Sequence, residues 1–291
     1  MFSGSFVALV TPFKKGEIDE GTLRRLVDFH LKSETAGLVP CGSTGEAATL
    51  KPEEYLRVIR IVAEEAAGRI PVVPGVGSNA TWKTVEAVRE VGRLKVDGML
   101  VIVPYYNKPT QEGQKLHFGE VAKAAKAPVI VYNIPGRTGV NMKPETLAAL
   151  AKKHKNIIGV KEASGDLDQV SDLLNLVDDR FCVLSGDDSL TLPMLALGAQ
   201  GVISVAANVA PREMSRMCRA YLGGRVQEAR GLHRRLLPLM RSLFVETNPI
   251  PVKAALGMLK LCAPELRLPL TPLAAAHRLR VTEVLKDLGL F

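Results

Sequence analysis

The sequence predicts an α/β chain closed into a (β/α)8 TIM barrel with a C-terminal helical extension, and three observations predict it. Short β-branched runs ending in Gly, Pro or Asn alternate with longer alanine-, leucine- and charge-rich segments of helical period, the pattern of βα units around a parallel sheet. Eight such units fit into about 225 residues, whereas an open doubly wound sheet more often has about five or six strands. The remaining residues carry helical patterns alone, and the length of 291 residues lies in the range of one large α/β barrel as well as of two smaller domains.

Taken in order, the first strand is the run at 6–10, stopped by Thr11-Pro12, and Asp19 stands as the cap of a helix at 20–32. The second strand, 38–40, runs into a glycine-containing turn, after which a helix at 52–67 opens on Pro52, whose missing N–H costs little in a first turn. Strands at 71–76 and 98–103 flank a helix at 82–95, with Thr81 as its expected cap. Strands at 129–133, 157–161, 181–185 and 202–204 complete the eight, and helices at 112–125, 144–154, 167–177, 190–197 and 212–222 fill the intervals. Beyond them, 225–245, 251–261 and 273–288 read as helices, so residues 1–224 are expected to form the barrel and 225–291 the extension.

Composition narrows the class of activity. At 47% hydrophobic and 23% charged residues the chain can bury a core, which excludes a disordered or collagen-like protein. Its longest apolar runs, 98–104 and 128–132, fall far short of the roughly 18 residues that span a bilayer. The apolar stretch at 2–12 lacks the basic region that opens a secretory signal, so a cytoplasmic protein is expected. Cys41, Cys182, Cys218 and Cys262 are scattered without a C-x-x-C pair and read as reduced core thiols, with no metal site. The net charge of +8 admits nucleic acid, a membrane surface or small anions. Basic residues are dispersed, and the densest group, 225–241, has no interleaved aromatics and reads as a solvated helix face, which favours small anionic substrates.

In a barrel, catalytic groups belong at the C-terminal ends of the strands. Four junctions carry such groups. The second strand enters Pro40-Cys41-Gly42-Ser43-Thr44-Gly45-Glu46, whose backbone N–H groups suit a carboxylate or phosphate and whose hydroxyls either relay protons or satisfy the loop itself. Tyr105 and Tyr106 follow the fourth strand, as site phenols or interface anchors. The fifth ends at Tyr132, with Arg137 beyond it on a Gly-flanked loop, either a fork for a carboxylate or a solvated cation. The sixth is the most specific. Strand alternation puts Ile157, Gly159 and Lys161 on one face and Ile158, Val160 and Glu162 on the other. With the first set inward, Lys161 enters the barrel mouth, and desolvated lysines are the ones that form Schiff bases with carbonyl substrates. The alternative is a lysine that reaches water or pairs with Glu162.

The segments GSTGEAATL, VPYYNKPTQEG, YNIPGRTG, IIGVKEASGD, LSGDD, GVISVAANV and NPIPVK, in this order along nearly the whole chain, resemble the dihydrodipicolinate synthase (4-hydroxy-tetrahydrodipicolinate synthase) family of pyruvate-dependent class I aldolases. The resemblance implies a lyase of the diaminopimelate route to lysine, in which Lys161 forms an imine with pyruvate and the enamine attacks L-aspartate 4-semialdehyde, with no separate cofactor. It implies a proton relay of Thr44, Tyr132 and Tyr106, a pyruvate carboxylate held by the Ser43–Thr44 backbone, a semialdehyde carboxylate received by Arg137, and Gly186 and Ile203 among the substrate-binding residues. It also implies a homo-oligomer, a tetramer built as a dimer of dimers, with Tyr106 reaching into the neighbouring subunit's site. Many synthases have Thr-Thr where this chain has Ser43-Thr44, which keeps open N-acetylneuraminate lyase or another 2-keto-acid aldolase as the alternative. The positions matching the family's lysine effector site include Ala47 and Ala48, and of the others Asn79 and Tyr105 fit the sensitive pattern. Pro52 and Tyr55 stand where sensitive members often have histidines, and Lys83 where they have a glutamate, so weak or absent lysine inhibition is expected unless Glu86 supplies the carboxylate.

Overall fold

The computed structural model describes residues 2–291. Its eight barrel strands are β1 (Gly4–Ala8), β2 (Gly37–Val39), β3 (Gly75–Val76), β4 (Met99–Ile102), β5 (Val129–Asn133), β6 (Ile157–Glu162), β7 (Cys182–Ser185) and β8 (Gly201–Ser204). They pair in parallel in the order β2-β1-β8-β7-β6-β5-β4-β3. A bridge between Leu38 and Val72 joins β2 to the chain entering β3 and closes the ring. All eight expected strands are present, each within three residues of its expected start except β3, which is shortened to two residues at the end of its apolar run.

Period-two alternation sorts the strand side chains into two packed layers. Phe6, Ala8, Val39, Val73, Leu100, Ile130, Tyr132, Leu184 and Ile203 fill the barrel. Val7, Leu38, Val101, Val131, Val160, Val183 and Val202 face outward against the helices. One expectation about β6 fails. The β5–β6 ladder pairs Val129 with Ile157 and then Ile130 with Gly159, so Ile158 is an extra residue in the strand. The bulge reverses alternation across it. Ile157 therefore packs in the outer layer and Ile158 against the inner one, while Gly159 and Lys161 keep the inward direction.

Helices α1 (Glu20–Leu31), α2 (Pro52–Ala66), α3 (Thr81–Val91), α4 (Gln111–Ala124), α5 (Pro144–Lys153), α6 (Leu167–Leu176), α7 (Thr191–Leu197) and α8 (Pro211–Leu222) form the outer ring. The Asp19 carboxylate accepts from Thr22 N at 3.0 Å and caps α1 as expected. Thr81 does not cap α3. It is the first helical residue, behind Ala80, and its hydroxyl meets His117 Nδ1 at 3.0 Å. The four cysteines are buried and unpaired.

After α8 come α9 (Val226–Ser242), α10 (Ile250–Met258) and α11 (Ala275–Asp287). α9 packs on α8, and both α9 and α10 pack on α11. A hairpin, Phe13–Lys14 with Glu17–Ile18, has strands too short for an alternation signal and lies outside the sequence expectation. Its Phe13 ring is fully buried beneath two cations of the C-terminal segment, Lys253 Nζ at 4.1 Å and Arg267 Cζ at 4.4 Å from the ring centroid.

Candidate active site

β5 and β6 place Tyr132 and Lys161 side by side in register. Lys161 is 6% exposed, and its Nζ lies 4.2 Å from the centroid of the Tyr132 ring. Glu162 points away from it, into the helical layer. That carboxylate accepts from Asn133 Nδ2 at 3.0 Å, Ser164 N at 2.7 Å and Gln169 Nε2 at 3.2 Å, and burial pushes its carboxyl up from the usual range. The neighbouring acid is thus committed elsewhere, and the amine faces an aromatic wall instead. Space for the lysine depends on Gly186 at the end of β7. A Cβ there would stand 3.1 Å from Lys161 Cε and 2.5 Å from Ala163 Cβ, a clash that only glycine avoids.

The loop after β2 folds back tightly, with Cys41 and Glu46 both in the left-handed region at φ 54°. Thr44 within it is 3% exposed, and its hydroxyl oxygen accepts from Asn248 Nδ2 at 2.9 Å. The Glu46 carboxylate is clamped by Lys253 Nζ at 2.5 Å and by the Arg267 backbone N–H at 3.1 Å. Lys253 is fully buried and donates also to the Glu265 carbonyl at 2.6 Å. Desolvation draws its ammonium down from the ordinary lysine range, and Glu46 opposes that. Arg267 makes a two-pronged pair with Glu54, both contacts 2.6 Å, and hydrogen bonding to that guanidinium holds the Glu54 carboxyl at about 2.

Arg137 lies on a one-turn helix, Pro135–Thr138, after β5, and one guanidinium nitrogen donates to the Asn248 carbonyl at 2.8 Å. Ser43, Tyr132 and Arg137 line one cavity of about 490 Å³, together with Gly75–Gly77, Ile102 and Tyr105. Tyr106 does not line it. It is 86% exposed, on a backbone at φ 73°. Ile203 is 1% exposed, with its side chain in the inner core and its place in β8 opposite Phe6 of β1. The segment after it is held by Asp188, whose Oδ2 accepts from Val205 N at 3.1 Å and Ala206 N at 2.8 Å, burial pushing this carboxyl up to about 6.

Of the expected effector positions, Ala47, Ala48, Pro52, Tyr55 and Tyr105 border the same cavity. The Tyr55 hydroxyl donates to the Gly75 carbonyl at 2.7 Å, and exposed Lys83 sits 5.4 Å from the Trp82 ring centroid. Reasoning from the sequence gives Asn248 and Lys253 no role. The one signal it offers is a lone lysine inside the apolar run IPVKAALGM, a charge with no solvated face to occupy.

A sequence model of the Dihydrodipicolinate synthetase family matches residues 1–288. The 4-hydroxy-tetrahydrodipicolinate synthase of Pelobacter propionicus is 51% identical over 290 residues, covering 100% of each chain. The dihydrodipicolinate synthase from Aquifex aeolicus superposes with a TM-score of 0.98 at 48% identity and 99% coverage of each chain. The chloride-inhibited dihydrodipicolinate synthase from Acinetobacter baumannii, solved in complex with pyruvate, superposes with a TM-score of 0.97 at 41% identity and 100% coverage of each chain.

Proposed function

Since this chain belongs to the dihydrodipicolinate synthetase family, we propose that it is a lyase condensing pyruvate with L-aspartate 4-semialdehyde, the 4-hydroxy-tetrahydrodipicolinate synthase reaction of the diaminopimelate route to lysine. The observation that carries the chemistry is the Lys161 amine, desolvated in the barrel mouth against Tyr132. In this reading Nζ attacks the pyruvate carbonyl carbon and water leaves, forming an imine. Loss of a methyl proton gives the enamine, whose carbon attacks the semialdehyde aldehyde. The substrate's own amine then adds to the imine carbon, closing the ring and releasing Lys161.

Thr44, Tyr132 and Tyr106 carry the protons, the Ser43–Thr44 backbone holds the pyruvate carboxylate, and Gly186 and the Ile203 main chain bound the remaining space. The lysine supplies the electron sink, so this mechanism calls for no separate cofactor. Tyr106, exposed on one chain, fits a relay completed by a second copy, and the assembly proposed is a cytoplasmic homotetramer built from two dimers. No helix among the described residues is long and apolar enough to cross a membrane. An assay of purified protein with pyruvate and several aldehydes tests the reading against the neuraminate-lyase alternative, which rests on Ser43 alone.

Two measurements bear on substrate and effector. Arg137→Ala is expected to raise KM for the semialdehyde about ten- to a hundredfold, the loss of a charge-assisted contact of roughly 1.5–3 kcal/mol, while pyruvate still forms its adduct. Equal damage to both halves of the reaction would mark Arg137 as structural. Free L-lysine is expected to half-inhibit only above about a millimolar. Lys83 stands where the resemblance expects a glutamate for the effector's ammonium, and the Tyr55 hydroxyl is committed to Gly75. A steady-state titration reaching half-inhibition at lower concentration overturns this.

A further inference from the structure

We infer that Asn248 is a positioning residue of the reaction, its side-chain amide setting the direction in which the Thr44 hydroxyl passes its proton while its main-chain carbonyl braces Arg137. The inference rests on the condensation reading above. Asn248 lies in the turn between α9 and α10, 204 residues from Thr44 in sequence, and is 5% exposed. Its Nδ2 donates to Thr44 Oγ1 at 2.9 Å, and its carbonyl accepts from the Arg137 guanidinium at 2.8 Å. One residue of the helical extension therefore touches groups delivered by two different barrel loops.

The direction of the proton follows from donor and acceptor counting. A threonine hydroxyl has one proton and two lone pairs, and an amide NH2 donates only. With Nδ2 on one lone pair, the Thr44 proton cannot point at Nδ2, and it is left for the rest of the relay. Asn248 Oδ1 is buried without a partner among the described residues, so no second side-chain bond on this amide supports a purely architectural role. The link to Arg137 uses the main chain, and a side-chain substitution leaves it in place.

Asn248→Asp puts an acceptor where the donor stands, at unchanged volume, and turns the Thr44 proton toward residue 248. It is expected to lower kcat at least about tenfold with KM for the semialdehyde within about twofold, and Asn248→Ala should follow the same split. Since Asn248 acts through Thr44, Asn248→Ala added to Thr44→Val should cost little beyond Thr44→Val alone, the non-additivity expected of coupled groups. Wild-type kcat in Asn248→Asp, a raised KM at unchanged kcat, or fully additive losses would each overturn the inference. If Asn248→Ala does not fold, as read by its thermal melt, the isosteric Asp variant carries the test. Borohydride trapping with pyruvate separates this from the larger reading. No adduct in the unmodified protein sinks the condensation mechanism, whereas normal adducts with unaltered turnover in the Asn248 variants sink only the positioning role.

Discussion

Lys161→Arg is expected to reduce turnover at least about a thousandfold, the scale of removing a covalent nucleophile. A guanidinium stays protonated in proteins and offers no lone pair to a carbonyl carbon. The substituted side chain must also fit a place that is 6% exposed and walled by the Tyr132 ring. In the unmodified protein, borohydride with pyruvate should add the mass of one reduced pyruvyl group to the peptide containing Lys161, and in the variant to none. An adduct on another lysine, or appreciable turnover by the arginine variant, would falsify the assignment.

Lys253→Met should be strongly destabilising. It leaves the Glu46 carboxylate, 1% exposed, without its ammonium partner. Removing one member of a buried pair costs about 3–5 kcal/mol, because the remaining charge stays desolvated. The urea midpoint should fall accordingly with little change in slope. Replacing both partners with apolar residues, Lys253→Met with Glu46→Leu, should recover a large part of that loss, since a buried ion pair as a whole is often nearly neutral against a packed apolar pair. A loss below about 1 kcal/mol in the single variant, the scale of an exposed pair, would mean that water reaches Glu46.

The barrel is legible in the amino acids because its signals are local. Each apolar run and each helical stripe lies within a few residues, and eight repetitions leave few topologies. Lys161 and Tyr132 are readable for the same reason, as strand-end residues whose direction follows from alternation. The bulge at Ile158 is not, because an extra residue in a ladder depends on the partner strand, and it spares Lys161 only by lying below it. The clamp of Asn248, Lys253 and Arg267 on the hydroxyl loop is hidden by distance. Its bonds to Thr44, Glu46 and Glu54 join residues more than 200 positions apart. The family resemblance supplies roles for Ser43, Arg137, Gly186 and Ile203 that local chemistry leaves open. The structure brings Ser43 and Arg137 to one cavity and sets Gly186 against Lys161, while it leaves Tyr106 standing outside.

That distance has a consequence for biosynthesis on the ribosome. Chains grow at about 5–20 residues per second, so the 204 residues between Thr44 and Asn248 take roughly 10–40 s to make. Throughout that interval Glu46 and Glu54 lack the cations that pair with them in the fold, and the hydroxyl loop is held only by nearer bonds such as that from the Thr11 hydroxyl to the Gly45 carbonyl at 2.7 Å. The nascent protein can stack its βα units as they emerge, but the contacts that brace the hydroxyl loop form only after Asn248, Lys253 and Arg267 have been translated. A chain that stops anywhere before Arg267 therefore lacks part of the clamp on the hydroxyl loop.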